Sequence, residues 1–172
     1  SIGVDFDALA VDASLKKGLT VLLGDDEILS NYQGYFDYVL CSHVLEHVHN
    51  PMEFIQALGA SVKPNGILVL TLPNATSKVR DYFGDDWRGL EAPRHLSIPS
   101  QICLIRILTS LGFEVSIKSD DSAETVLESL RLKRRGVKPR LMDRLYAKFI
   151  VVKPDAKTHT NDFIKLVCKK AL

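Results

Sequence analysis

The sequence is short of features that would narrow it quickly. It has three cysteines, Cys41, Cys103 and Cys168, with no C-x-x-C spacing, which argues against a disulfide framework or a structural zinc site. All three fall in apolar surroundings and read as buried free thiols of a reducing cytoplasm. The longest apolar runs, such as Ile67 to Leu72, are far too short to span a bilayer. No signal peptide is visible at Ser1, and no repeat or low-complexity tract follows. The net charge is only +1, so no global field favours nucleic acid or a membrane surface. What is present is ordinary for a globular protein: 46% apolar and 25% charged residues in 172, enough for one domain over 1–172 with a proper core.

Strand and helix patterns alternate. Ile2 to Val4, Thr20 to Leu23, Phe36 to Cys41, Ile67 to Leu72, Phe113 to Ile117 and Asp162 to Cys168 read as strands. Helices are expected over about Ala8 to Lys17, Pro51 to Val62 and Pro99 to Leu111, with a helical insertion over 122–149. Gly18 and Gly112 are helix stops, Asn50-Pro51 a helix start, and Lys63-Pro64-Asn65-Gly66 a turn. Alternation of this kind predicts an α/β domain with a mostly parallel sheet, whose ligands sit beyond the carboxyl ends of the strands.

The stretch Phe36-Asp37-Tyr38-Val39-Leu40-Cys41-Ser42-His43-Val44-Leu45-Glu46-His47-Val48 is a buried strand that stops in a polar cluster. It resembles the segment after the fourth strand of class I S-adenosylmethionine (SAM)-dependent methyltransferases. Lys63-Pro64-Asn65-Gly66-Ile67-Leu68 resembles that family's turn into its fifth strand. Leu72-Pro73-Asn74, then Phe83-Gly84-Asp85-Asp86-Trp87-Arg88-Gly89-Leu90-Glu91-Ala92-Pro93-Arg94-His95-Leu96, resembles a subgroup with unknown or saccharide-related substrates. The resemblance covers about residues 2 to 118 and the last strand. It implies a Rossmann-like fold with a C-terminal antiparallel strand, S-adenosyl-L-methionine as cofactor, and methyl transfer to oxygen or nitrogen of a small-molecule or saccharide-type acceptor.

The departure is at the front. Ser1 stands where the family's second strand begins, and no G-x-G-x-G loop occurs, so the domain reads as N-terminally truncated. The absent strand would leave Ile2–Val4 and Phe36–Cys41 roughly 10 Å apart, two strand spacings. Direct pairing, a second copy in a homodimer, or a detached first segment with an open edge are the alternatives. A non-catalytic binding or scaffold module is therefore the competing function.

The resemblance implies site residues one by one. Asp5 would accept from the ribose hydroxyls of the cofactor, with a plain turn aspartate as the alternative. Asp25, or Asp26 in its place, would meet the adenine. Ser42 and His43 would border the methionine portion. His95, with His47 second, would take the acceptor's proton, or Pro93-Arg94-His95 would simply fix its loop. Some relatives carry Glu-x-x-Glu-His here and bind a divalent ion. This chain has His43-x-x-Glu46-His47, in which local bracing of the turn is the preferred reading and no metal is assigned. With His95 added, an ion would be zinc or manganese rather than magnesium. Tyr82, Phe83 and Trp87 would either pin their loop to the core or wall an acceptor pocket. The basic run Arg131, Lys133, Arg134, Arg135, Lys138, Arg140 and Arg144 reads as a solvated face, with attraction of an anionic acceptor as the alternative. A metal-dependent RNA ribose methyltransferase is the third function, and near-neutral charge speaks against it.

Overall fold

A computed structural model of the chain describes residues 1–120, 123–136, 141–143, 145, 147 and 162–172. The first elements are β1 (Gly3–Asp5), α1 (Ala8–Lys16) and β2 (Val21–Leu23). Asp7 caps α1 by accepting from Leu9 N, and Gly18 leaves the helix at φ 78°, a left-handed value that costs glycine nothing. A 3-10 segment, Asp26–Tyr32, then leads into β3 (Phe36–Ser42). After a 3-10 turn at Leu45–His47 come α2 (Pro51–Ser61), β4 (Val62–Pro73), α3 (Lys78–Phe83) and α4 (Gln101–Ser110). The chain closes with β5 (Phe113–Asp120), α5 (Ala123–Lys133) and β6 (Phe163–Lys170).

One sheet has the order β3-β4-β6-β5. β3 runs parallel to β4, whereas β6 is antiparallel to both β4 and β5, so β6 alone is reversed in this sheet. That is the mostly parallel arrangement with a reversed last strand expected from the sequence. α2 begins with proline at its first turn and Asn50 capping Glu53 N, and it presents Ile55 and Leu58 inward. α4 presents Leu104 and Leu108. Both helices pack their apolar faces on Leu68, Leu70, Leu72, Leu166 and Cys168 of the sheet.

β1 and β2 pair in parallel as a separate two-stranded sheet. Direct pairing of the first segment with β3 is not what the chain shows: β3 has no partner on its outer edge among the described residues, and Tyr38 and Leu40 are exposed there.

Several expectations need correction. Cys41 and Cys168 are buried free thiols, but Cys103 is exposed, because it lies on α4 beside Leu104 and points about 100° away from that inward position. Lys63 to Gly66 is not a separate turn before the strand. β4 already pairs at Val62, and the extra residues form a bulge in the β3–β4 register, with Asn65 at φ 64°. In the segment after Asn74, Ser77 caps α3 by accepting from Arg80 N. Of the two readings given for the aromatics, Phe83 and Trp87 follow the one that pins their segment to the core. They join Val79, Val126 and Leu130 in a second buried cluster, while Tyr82 is exposed. Within the expected helical insertion, Ala123–Lys133 is a helix, and residues 137–140 lie outside the described set.

Candidate functional site

The site grows from the carboxyl end of β3. Ser42 pairs with Thr71 of β4, and His43 N donates to Thr71 O at 2.8 Å. His43 then adopts φ 54°, a left-handed value that a side chain resists, and turns the chain out of the sheet into Leu45–His47. The turn buries Leu45 and, less expectedly, the whole of Glu46. His43 Nδ1 lies 3.3 Å from Glu46 Oε1, and the His43 ring meets Phe163 edge-on at 5.1 Å. Glu46 Oε2 is buried with no hydrogen-bond partner among the described residues. A buried carboxylate oxygen without a donor is unusual enough to require an explanation.

Facing this turn is the segment Trp87 to Ser97. Trp87 anchors it, with the indole Nε1 donating to Asp162 Oδ1 at 2.7 Å in the interior. Gly89 lies so close to that indole that a Cβ would come within 2.2 Å of the ring. Glu91, at φ 33°, gathers the segment: its carboxylate accepts from Arg88 and Arg94, and its carbonyl from Arg94 N and His95 N. The Arg88 hydrogen bond, reinforced by the Arg88 and Arg94 charges and by His95, holds the Glu91 carboxyl below the usual carboxylate range. Leu96 N donates to Glu46 O at 2.8 Å, so the segment is docked on the turn that follows β3.

Docking brings two histidines together. His47 Nδ1 is 3.0 Å from Arg94 O, and His95 Nδ1 is 2.7 Å from Gly89 O. A carbonyl only accepts, so in both rings Nδ1 carries the hydrogen and Nε2 the lone pair. The ring centroids are 4.8 Å apart. His95 Nε2 also lies 3.6 Å from Glu91 Oε2. One ligand atom from each of Glu46, His47 and His95 falls within 4.8 Å of the others. These residues, with His43, Glu91 and Phe163, line a cavity of about 590 Å³. The residue types suit a dication: Glu46 has a buried carboxylate oxygen without a donor among the described residues, and the two histidines carry a lone pair on Nε2.

The remaining candidates lie elsewhere. Asp5 ends β1 and Asp25 lies two residues beyond the end of β2, with Gly24 N donating to Asp5 O at 3.0 Å, but neither lines the cavity, and nor does Ser42. Asp5 Oδ1 accepts from Asp7 N, and Asp25 Oδ1 from Glu27 N as a helix cap. The Asp26 side chain is outside the described set. Cys41, below the turn, is no nucleophile: burial, aided by the Glu46 charge, pushes its thiol up to about 12. In the basic run, Arg134 forms two hydrogen bonds to Asp143, Arg131 faces Glu128, and Lys133 stands over the Tyr82 ring. Lys138, Arg140 and Arg144 are not described. Two participants had been passed over, Arg88 and Glu91, although the spacing Arg88-x-x-Glu91-x-x-Arg94 is itself a signal of a charge clasp.

The fold is that of the SAM-dependent methyltransferases. A SAM-dependent methyltransferase from Archaeoglobus fulgidus superposes with a TM-score of 0.66 over 99% of this chain and 76% of its own, at 22% identity. The cyclase SpnF does so at 0.61 and 21% identity, over 99% of this chain and 66% of its own. Residues 4–116 match the family described as methyltransferase domain, and the chain belongs to that family. Among curated proteins, the ubiquinone biosynthesis O-methyltransferase of Histophilus somni is 32% identical over 75 residues, 44% of this chain and 27% of the relative. That of Maricaulis maris is 33% identical over 85 residues, 45% of this chain and 34% of the relative. The matched part thus spans about a third or less of these relatives. No helix among the described residues is long and apolar enough to cross a membrane.

Proposed function

We propose that this chain performs SAM-dependent methyl transfer to an oxygen or nitrogen of a small-molecule acceptor, oxygen being favoured by the names of the matched relatives. Saccharide-type acceptors, a cytoplasmic setting and a homodimer covering the open edge of β3 belong to the same proposal. The observation that supports it best is the His47–His95 pair, both rings held by backbone carbonyls with Nε2 lone pairs available.

SAM would supply a methyl group on a positively charged sulfur: the acceptor's lone pair bonds to that carbon, and the carbon–sulfur pair returns to sulfur. Much of the rate comes from holding the two reactants in line. Asp5 fits the ribose, because its Oδ2 accepts nothing from the described residues and can take a hydroxyl. Asp25 is the adenine contact, and Ser42 with His43 borders the cofactor's tail. His95 Nε2 receives the proton the acceptor loses, a contribution of typically ~10²–10⁴ in rate, and Glu91 stabilises the resulting imidazolium.

Calorimetry with S-adenosylhomocysteine is the test. Binding by the chain, and its loss in Asp5→Ala with the fold intact, is the expected result. No heat at millimolar ligand would leave the competing reading, a non-catalytic binding or scaffold module.

A further inference from the structure

We propose that the exposed end of α5, together with the helical residues that follow at 141–143 and 145, is a docking surface for an anionic lipid bilayer.

The near-neutral net charge conceals a segregation. Residues 131–145 hold seven basic side chains and one acidic one, whereas the rest of the chain holds fifteen basic and twenty acidic ones. A stretch of net charge +6 is thus offset by −5 spread elsewhere, so an anionic surface attracts this end and repels the remainder. Two of the cations are partly neutralised: Arg131 faces Glu128, and Arg134 forms two hydrogen bonds to Asp143. The Arg134–Asp143 pair also ties the end of α5 to residues 141–143 and gathers both segments into one surface. Lys133 keeps its charge over the Tyr82 ring, and the exposed Arg135 side chain has no partner among the described residues.

Charge alone would suit any polyanion; the apolar side chains select lipid. Leu132 is exposed on α5, and Leu141, Met142 and Leu145 are exposed beside Asp143, the first two of these at 73% each. Residues 141–143, 145 and 147 are helical, and at about 100° per residue Leu141, Met142 and Leu145 share a side, with Leu145 about 200° from Ala147. Ala147 is buried in the second core, so that shared side points away from the protein. Aliphatic tips among lysines and arginines are the makeup of a helix that lies in the headgroup layer. A single-stranded nucleic acid would be met by aromatic platforms, and residues 131–145 contain no aromatic side chain. The same helix reaches the cavity through Thr125 and Glu128, the latter about 7.5 Å along the axis from Lys133. Docking would hold the cavity near acceptors carried in the bilayer; that use rests on the proposed methyl transfer, whereas the docking itself does not.

The test is co-sedimentation of the full chain with vesicles of phosphatidylcholine alone and of phosphatidylcholine with phosphatidylserine in equal parts, with circular dichroism to verify folding. The mixed vesicles should bind at least about 30-fold more tightly, since each basic residue near an anionic surface contributes roughly fivefold. Arg135→Glu should weaken that binding about 10-fold or more, and Leu141→Ser combined with Met142→Ser about 10-fold. Lys17→Glu makes the same change of charge at an exposed position outside the patch and should stay within about twofold. No preference for the mixed vesicles would overturn the inference, as would a Lys17→Glu loss equal to that of Arg135→Glu. Full binding by the folded Leu141→Ser, Met142→Ser double variant would also overturn it, because only an unselective polyanion site would remain. Single-stranded RNA bound more tightly than the mixed vesicles would reassign the surface to nucleic acid and overturn it too. Vesicle binding by a chain that does not take up S-adenosylhomocysteine would discard methyl transfer alone; cofactor binding without vesicle binding would discard the docking surface alone.

Discussion

In the four-stranded sheet, Leu68, Leu70, Leu72, Leu166 and Cys168 are each 1% exposed or less. In the β1–α1–β2 unit, Val11 is the one buried apolar residue among those described, while Phe6, Leu9 and Leu23 are 76%, 79% and 55% exposed. The first region carries the burial that stabilises the fold, and with it the histidine pair and Glu46. The second holds Asp5 and Asp25, the proposed nucleoside contacts, at or just beyond the ends of strands of three residues with little apolar surface removed from water. A site split in this way links chemistry to the rigid sheet and cofactor affinity to the weakly packed one, so a bound cofactor should stabilise the second region most.

The contrast is broken or sharpened first by truncation in the core. Leu70→Ala should cost about 2–5 kcal/mol in denaturant melts. A cost under ~1 kcal/mol would mean the central sheet is not where stability resides. Next comes a dissociation of effects. His95→Ala should cut turnover by ~10²–10⁴ with S-adenosylhomocysteine affinity unchanged, whereas Asp5→Ala should cost affinity. Variants that move both quantities alike would erase the division. A smaller effect is expected with acid. Since the folded Glu91 carboxyl is depressed, its clasp contributes fully above the ordinary carboxylate pKa of about 4.3 and is lost as pH falls through the lower folded value. Amide exchange at Leu96 should therefore quicken below about pH 4, ahead of that in β4 and β6, and equal timing would argue against the clasp. Leu9→Ala, last, should stay within about 0.5 kcal/mol.

Much of the fold was legible because its signals are local. The apolar run into Ser42, proline after Asn50, and the apolar closing strand each carry their own periodicity or cap. The site was legible as residue types but not as an arrangement. His47 and His95 are 48 positions apart, and only the docking of Leu96 N on Glu46 O brings them together. Complete burial of Glu46 could not be read from a motif of mixed polarity. Arg88 and Glu91 were hidden for another reason: in this segment the aromatics Phe83 and Trp87 carry the legible signal and fill the second core, whereas the charged residues beside them face the cavity. The separate pairing of β1 with β2 depends on which edges find partners, and strand pattern does not encode that.

The central claim is that both regions contribute to one cofactor cleft. A titration of isotope-labelled chain with S-adenosylhomocysteine, followed by amide resonances, tests it directly. Saturable shifts at Asp5, Gly24 and Asp25 together with Ser42 and His43, all fitting a single affinity, are predicted. Shifts confined to one sheet, or absent from Asp5 and Gly24, would contradict it.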